Sequence, residues 1–231
     1  MVSKHMRVFL VESPSALDSF EKRNESETLR ALCKLLGHHF AETIVRSKEE
    51  FKTALTYLTS INPEQIPTSQ KKWPLCLHIA AHGDKSGLAI GADDASWTYL
   101  AEQISAFING NDYPGPVLVV ISACGAGEQK ITKELKILAS EGEFKQPAYL
   151  FVTAGKKNGI VEWRDAVVAW SIFYHEIGRA VLNEKHQIMT ILDKIRIAGA
   201  GTLKYFRWDK EGRKFILYKP TCNEHIHNKN R

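Results

Sequence analysis

An α/β sandwich of three layers around a mostly parallel central sheet is the fold class this chain predicts, and three observations predict it. Strand-like and helix-like stretches alternate along the 231 residues, the order that builds parallel sheets covered by helices. Two strand-like stretches, 75–81 and 117–122, are continuous apolar runs with β-branched members, the pattern of strands buried on both faces. Several helix-like stretches carry apolar residues three and four apart, as helices lying on a sheet do.

Taken in order, residues 7–12 (RVFLVE) read as a first strand, broken by Ser13-Pro14-Ser15. Residues 25–36 place Leu29, Leu32, Leu35 and Leu36 at helical spacing, and Gly37 is a suitable helix end. Residues 40–45 read as a second strand and 48–58 as a helix with Phe51, Ala54, Leu55 and Leu58 on one face. Two prolines and few apolar residues make 62–72 a loop. The strand 75–81 follows, then a short strand at 88–90 paired with a segment before Trp97. A helix is expected at 99–108, a Gly/Asn/Asp/Pro loop at 109–116, a strand at 117–122, a helix at 131–139 and a strand at 148–153. The loop 155–159 is turn-rich. A long helix, apolar on most sides, spans 166–182, and another spans 188–197. Residues 203–208 and 214–218, joined by Asp209-Lys210-Glu211-Gly212, read as a C-terminal β-hairpin. Residues 1–6, with a second methionine at Met6, read as an added leader, 7–220 as a single domain and 221–231 as a frayed polar tail. The segment 126–147 is the best candidate for an exposed, cleavable connection.

The 44% hydrophobic content is enough for a real core and argues against disorder. Net charge is +5 but scattered in short runs such as Lys71-Lys72 and Lys156-Lys157, which favours a solvated surface over direct nucleic-acid binding. No run approaches the roughly 18 apolar residues of a membrane span, and no signal peptide is visible. Four cysteines (Cys33, Cys76, Cys124, Cys222) without a signal read as reduced thiols of a cytoplasmic protein.

The chemistry is concentrated at two strand ends. Leu77-His78-Ile79-Ala80-Ala81-His82-Gly83 and Leu118-Val119-Val120-Ile121-Ser122-Ala123-Cys124-Gly125 are apolar runs that stop at a reactive side chain and a glycine. Reacting groups collect at the carboxyl ends of strands in open α/β sheets. A cysteine is only slightly ionised at neutral pH and needs a base to become a nucleophile. Glycine after each reactive residue allows a sharp turn and leaves an N–H unobstructed for an oxyanion. A cysteine–histidine dyad of a peptidase is the reading that uses all of these features.

A strand ending His82-Gly83, then a strand ending Ser122-Ala123-Cys124, resembles the caspase-like (clan CD) cysteine peptidases, and among them the CHAT-domain group. The caspase signature Q-A-C-[RQG]-G with a histidine about 50 residues upstream is matched by Ala123-Cys124-Gly125, with His82 lying 42 residues upstream. Ser122 stands in place of Gln and Ala126 in place of the second Gly. Val8–Pro14, Glu162-Trp163-Arg164-Asp165 and Ser171-Ile172-Phe173-Tyr174 add weaker likeness over 7–200. The resemblance implies a caspase-like fold and a protein or peptide substrate. It implies Cys124 as nucleophile, His82 as general base and proton donor, and the N–H groups of Gly83 and Cys124 as oxyanion hole. Relatives that prefer a basic residue before the scissile bond often carry an acid two before the cysteine; here that position is Ser122. Asp84, Glu162 and Asp165 are the acids nearest the expected substrate pocket. Peptidases of this kind act as effectors of bacterial antiviral defence or regulated cell death, which implies a regulatory protein partner.

Other readings are weighed against these. His78 shares a strand face with His82 but reads first as a satisfied core histidine. Cys33 and Cys76 lie within apolar periodic stretches and read as core. Cys222, His225 and His227 lack a second cluster of zinc-site spacing, so no metal and no cofactor is expected. Asp165 could simply cap the helix that follows. Gly125 and Gly127 lack the Gly-Lys-Ser/Thr of a phosphate loop. Rival functions are a non-catalytic or latent caspase-like interaction module and another Cys–His acyl hydrolase. The α/β-hydrolase elbow is disfavoured because Ser122 stands where its first glycine belongs.

Overall fold

The computed structural model describes residues 5–126, 130–142, 145–154 and 161–218. Its sheet runs β2-β1-β3-β6-β7-β8-β9, with β4 and β5 as a side ladder on β3. The members are β1 (Arg7–Ser13), β2 (His39–Ile44), β3 (Leu75–Gly83), β6 (Val117–Ser122), β7 (Tyr149–Ala154), β8 (Thr202–Asp209) and β9 (Lys214–Tyr218). β1, β2, β3, β6 and β7 are parallel, and β8 and β9 add antiparallel. β4 (Gly87–Ile90) pairs with β5 (Asp93–Ser96), the partner expected just before Trp97.

Strand alternation splits the core in two. Phe9, Leu77, Ile79, Val119 and Ile121 face α3 (Lys48–Thr59), α4 (Trp97–Asn109) and α5 (Lys130–Glu141). Val8, Leu10, Cys76, Ala80, Leu118 and Val120 face α2 (Ser26–Leu36), α6 (Trp163–Ile177) and α7 (Lys185–Ile197). Helices on both faces make the three-layer α/β/α sandwich the sequence predicts. No helix among the described residues is long and apolar enough to cross a membrane.

Three elements differ from the sequence reading. A short helix, α1 (Ala16–Glu21), follows the Ser13-Pro14-Ser15 break. Ser15 caps it, accepting from the Asp18 N–H while the Asp18 carboxylate accepts from the Ser15 N–H, the reciprocal bonds of a capping box. The long helix is displaced: α6 runs Trp163–Ile177 and ends at Gly178, so Glu162–Asp165 form its cap and first turn and Ala180–Leu182 fall outside it. The proline-rich segment 62–72 holds two single-turn 3₁₀ helices, Pro63–Gln65 and Thr68–Gln70. Met6, counted with the leader, is fully buried. Residues 127–129 and 143–144 of the expected connection, the loop at 155–159, and Cys222, His225 and His227 lie outside the described residues.

Candidate active site

The order β2-β1-β3 reverses direction between β1 and β3, and in doubly wound sheets ligands bind at the carboxyl ends of strands beside such a reversal. β3 and β6 are parallel neighbours, with Ala80 opposite Ser122. His82 and Cys124 each lie two residues beyond that pair, so they leave adjacent strands at the same level. His82 shares parity with Cys76 and Ala80 along β3, on the α2/α6 face, while Cys124 lies in the turn just after β6. They line one cavity of about 620 Å³.

The loops that carry them touch backbone to backbone. A Cβ on Gly83 would stand 2.7 Å from the Cys124 carbonyl oxygen, and one on Gly125 would stand 2.2 Å from that of Asp84. Gly125 also has φ +74°, a region costly for side-chain-bearing residues. Glycine at both positions therefore permits the approach. Thr153 at the end of β7 holds the nucleophile loop: its hydroxyl accepts from the Ala123 N–H at 2.9 Å and donates to the Ala123 carbonyl at 2.8 Å. The Cys124 Sγ accepts a hydrogen bond from the Val161 N–H at 3.3 Å.

His82 is the exposed member of the pair, its side chain 47% accessible. Its Nε2 lies 2.5 Å from the buried Asp18 carboxylate. Trp163 meets the imidazole edge-on at 5.8 Å. The Asp18 oxygen that holds Nε2 also accepts from the Ser15 N–H and hydroxyl. Burial pushes the Asp18 carboxyl up, but the bonds from Ser15 and His82 and the charge on His82 outweigh it and leave it below its ordinary value. Asp18 was absent from the sequence-based candidates; the Ser15-x-x-Asp18 spacing was the signal that could have found it.

Beneath the dyad lies a buried polar cluster. Ser122 donates to Glu25 at 2.5 Å and accepts from the Trp170 indole N–H at 2.8 Å. The other Glu25 oxygen stands 3.1 Å from His78 Nε2, without hydrogen-bond alignment. His78 Nδ1 lies 2.7 Å from the Tyr174 hydroxyl. Glu12 accepts from the Glu25 and Ser26 N–H groups, yet burial, reinforced by the charge on Glu25, pushes its carboxyl up to about 7. His78 is thus fully buried, hydrogen-bonded at Nδ1 and facing the Glu25 carboxylate at Nε2 without a hydrogen bond.

The other acids separate. Ser122 and Glu162 line the Cys124 cavity. Asp84 lines a neighbouring cavity of about 330 Å³ with His82, and its carboxylate is occupied by the Ser86 and Gly87 N–H groups and the Ser86 hydroxyl. Asp165 lines a third cavity, bounded by Thr153 and Ala200. Glu162 rather than Asp165 occupies the N-cap of α6, and Asp165 stands in its first turn.

Glu12 gives a stability prediction. An ordinary glutamate ionises near 4.5, whereas folded Glu12 ionises near 7. Between those values the folded state binds more protons, so folding stability falls as pH rises through that window. The loss amounts to about 3 kcal/mol at most. Urea unfolding at pH 5 and pH 8 should show a drop in the wild type that Glu12→Gln largely removes. Equal drops in both proteins would contradict the assignment.

No family model and no curated protein matches the chain. Among solved structures it is similar to caspase-1 from Spodoptera frugiperda, at 13% sequence identity over 94% of this chain and 86% of that chain, with a TM-score of 0.48. The chemistry of the site rests on its own side chains.

Proposed function

We propose that this chain is a cysteine endopeptidase of the caspase-like kind, acting on a protein substrate through His82 and Cys124. The observation that carries the reading is the position of both residues at the carboxyl ends of adjacent parallel strands, lining one cavity. In this mechanism His82 takes the thiol proton, and the Cys124 sulfur attacks the scissile carbonyl carbon. The N–H groups of Gly83 and Cys124 receive the developing oxyanion. The tetrahedral adduct collapses as His82 protonates the departing amine, leaving a thioester on Cys124. His82 then draws a proton from water, whose oxygen attacks the thioester, and the carboxylate product leaves with the thiol restored.

The likeness of His82-Gly83 and Ser122-Ala123-Cys124 to the CHAT-type peptidases supports a regulated effector of defence or cell death under a protein partner's control. Unpaired Cys33, Cys76 and Cys124 suit a reducing, cytoplasmic setting.

Iodoacetamide provides the test. Burial pushes the Cys33 and Cys76 thiols up to about 12, so both should resist alkylation while Cys124 reacts. Cleavage of a mixed fluorogenic peptide library should be lost in step with carbamidomethylation of Cys124, read by peptide mapping. Cleavage that persists after Cys124 is fully alkylated would refute the reading.

A further inference from the structure

We infer that Thr153 is a positioning residue for the oxyanion hole: its hydroxyl sets the plane of the Ala123–Cys124 peptide and so the direction of the Cys124 N–H. This rests on the peptidase reading above. The two donors of that hole are held differently. Gly83 belongs to the β3–β4 ladder, where it stands opposite Leu88. The Asp84 N–H donates to the Gly87 carbonyl at 3.0 Å. Asp84–Gly87 is therefore a bonded pair and, by the alternation of antiparallel ladders, Gly83–Leu88 an unbonded one. The Gly83 N–H turns away from β4, and the bonded pairs on either side of it fix that direction.

Cys124 has no such support. The β6–β7 ladder ends with Ile121 opposite Val152, so Ala123 lies beyond the last strand pair. Among the described residues the Cys124 N–H donates to no backbone carbonyl. The Thr153 side chain takes the ladder's place. Its one hydroxyl accepts from the Ala123 N–H and donates to the Ala123 carbonyl, and Thr153 and Ala123 are only 3% and 4% exposed. A trans peptide is planar, with its C=O and N–H pointing in opposite directions. Holding the Ala123 carbonyl toward β7 thus points the Cys124 N–H away from β7. β6 lies between β7 and β3, so that direction leads toward the end of β3, which carries Gly83. Without the hydroxyl, the Ala123 N–H and C=O would be buried without partners, and rotation of the peptide would relieve that cost. A rotated peptide presents its carbonyl oxygen, and not its N–H, to the developing oxyanion.

Thr153→Val keeps the shape of the side chain and removes the hydroxyl. On the best substrate of the fluorogenic peptide library its kcat should fall on the order of 10²–10³-fold, the range for loss of one oxyanion-hole donor, with KM nearly unchanged. Thr153→Ser keeps the hydroxyl and should recover most of kcat. Iodoacetamide is attacked at a saturated carbon and forms no oxyanion, so Cys124 should be alkylated as fast in Thr153→Val as in wild type, a readout that needs no turnover. Wild-type kcat in a folded Thr153→Val would overturn the inference and leave the peptidase reading standing. Alkylation slowed in step with kcat would overturn it too, by giving the hydroxyl a general role in the thiol's surroundings, as would a Thr153→Ser as slow as Thr153→Val. Absence of cleavage by wild type would overturn both readings. If circular dichroism shows Thr153→Val unfolded, Thr153→Cys, whose thiol is a weak donor and acceptor, carries the same comparison with the same outcomes.

Discussion

Cys124→Ala is expected to lower kcat/KM by on the order of 10⁴–10⁶-fold, the scale on which removal of a covalent nucleophile acts. Without the sulfur no thioester forms, and His82 has no proton to take in the first step. The fold should survive. The change trims one small, half-buried side chain, and its surroundings are held by other bonds: Thr153 clamps Ala123 on both sides, and glycine contacts keep the two loops together. The cost to stability is about 1 kcal/mol, partly because the Val161 N–H loses its acceptor. Circular dichroism and a thermal melt beside the peptide assay separate the two effects. Turnover retained by a well-folded Cys124→Ala would remove Cys124 from the mechanism. Loss of the fold would instead give Cys124 a structural role.

The dyad was legible in the sequence because buried parallel strands advertise themselves as unbroken apolar runs, so a histidine or cysteine that ends one stands out. The register of β3 against β6 could not be read that way. It is fixed by packing on both sheet faces, and it is what puts Ala80 opposite Ser122 and His82 level with Cys124. The carboxylates were hidden for a different reason. Asp and Glu are rarely buried unless paired, so nothing local marks Glu12 at the end of a strand or Glu25 at the start of a helix as buried. Their partners come from afar: Ser122 is 97 residues from Glu25, and no local pattern encodes such a contact. Helix α6 was displaced in the reading because Ala180-Val181-Leu182 continues an apolar pattern past Gly178, where the helix stops. Its true start matters more, since it brings Trp163 against His82. Helix α1 is only six residues, too short for a helical periodicity to emerge, and its capping pair carried the only signal.

Asp18→Asn is expected to lower kcat by on the order of 10²–10³-fold, within the range attributed to general acid–base catalysis, with KM nearly unchanged. Asp18 touches no part of the substrate in the mechanism above; it acts through His82, as a positioning residue. Its carboxylate fixes Nε2, and its charge stabilises the imidazolium that forms when the thiol proton is taken. Asparagine keeps the shape and removes the charge. The imidazolium then gives up its proton more readily, so the neutral base that takes the thiol proton persists to lower pH and the acid limb of the rate profile should move down. Asp18→Glu keeps the charge and should recover part of kcat and return the acid limb toward its wild-type position. The capping box complicates stability, because Asp18 also accepts from Ser15, and weakening a cap costs about 1 kcal/mol. A structural role alone would lower the melting temperature and leave the pH profile of the remaining activity in place. A shift of the acid limb at nearly constant KM, reversed by glutamate, separates positioning of His82 from support of helix α1. An unmoved profile would assign Asp18 to the helix and leave His82 to act without it.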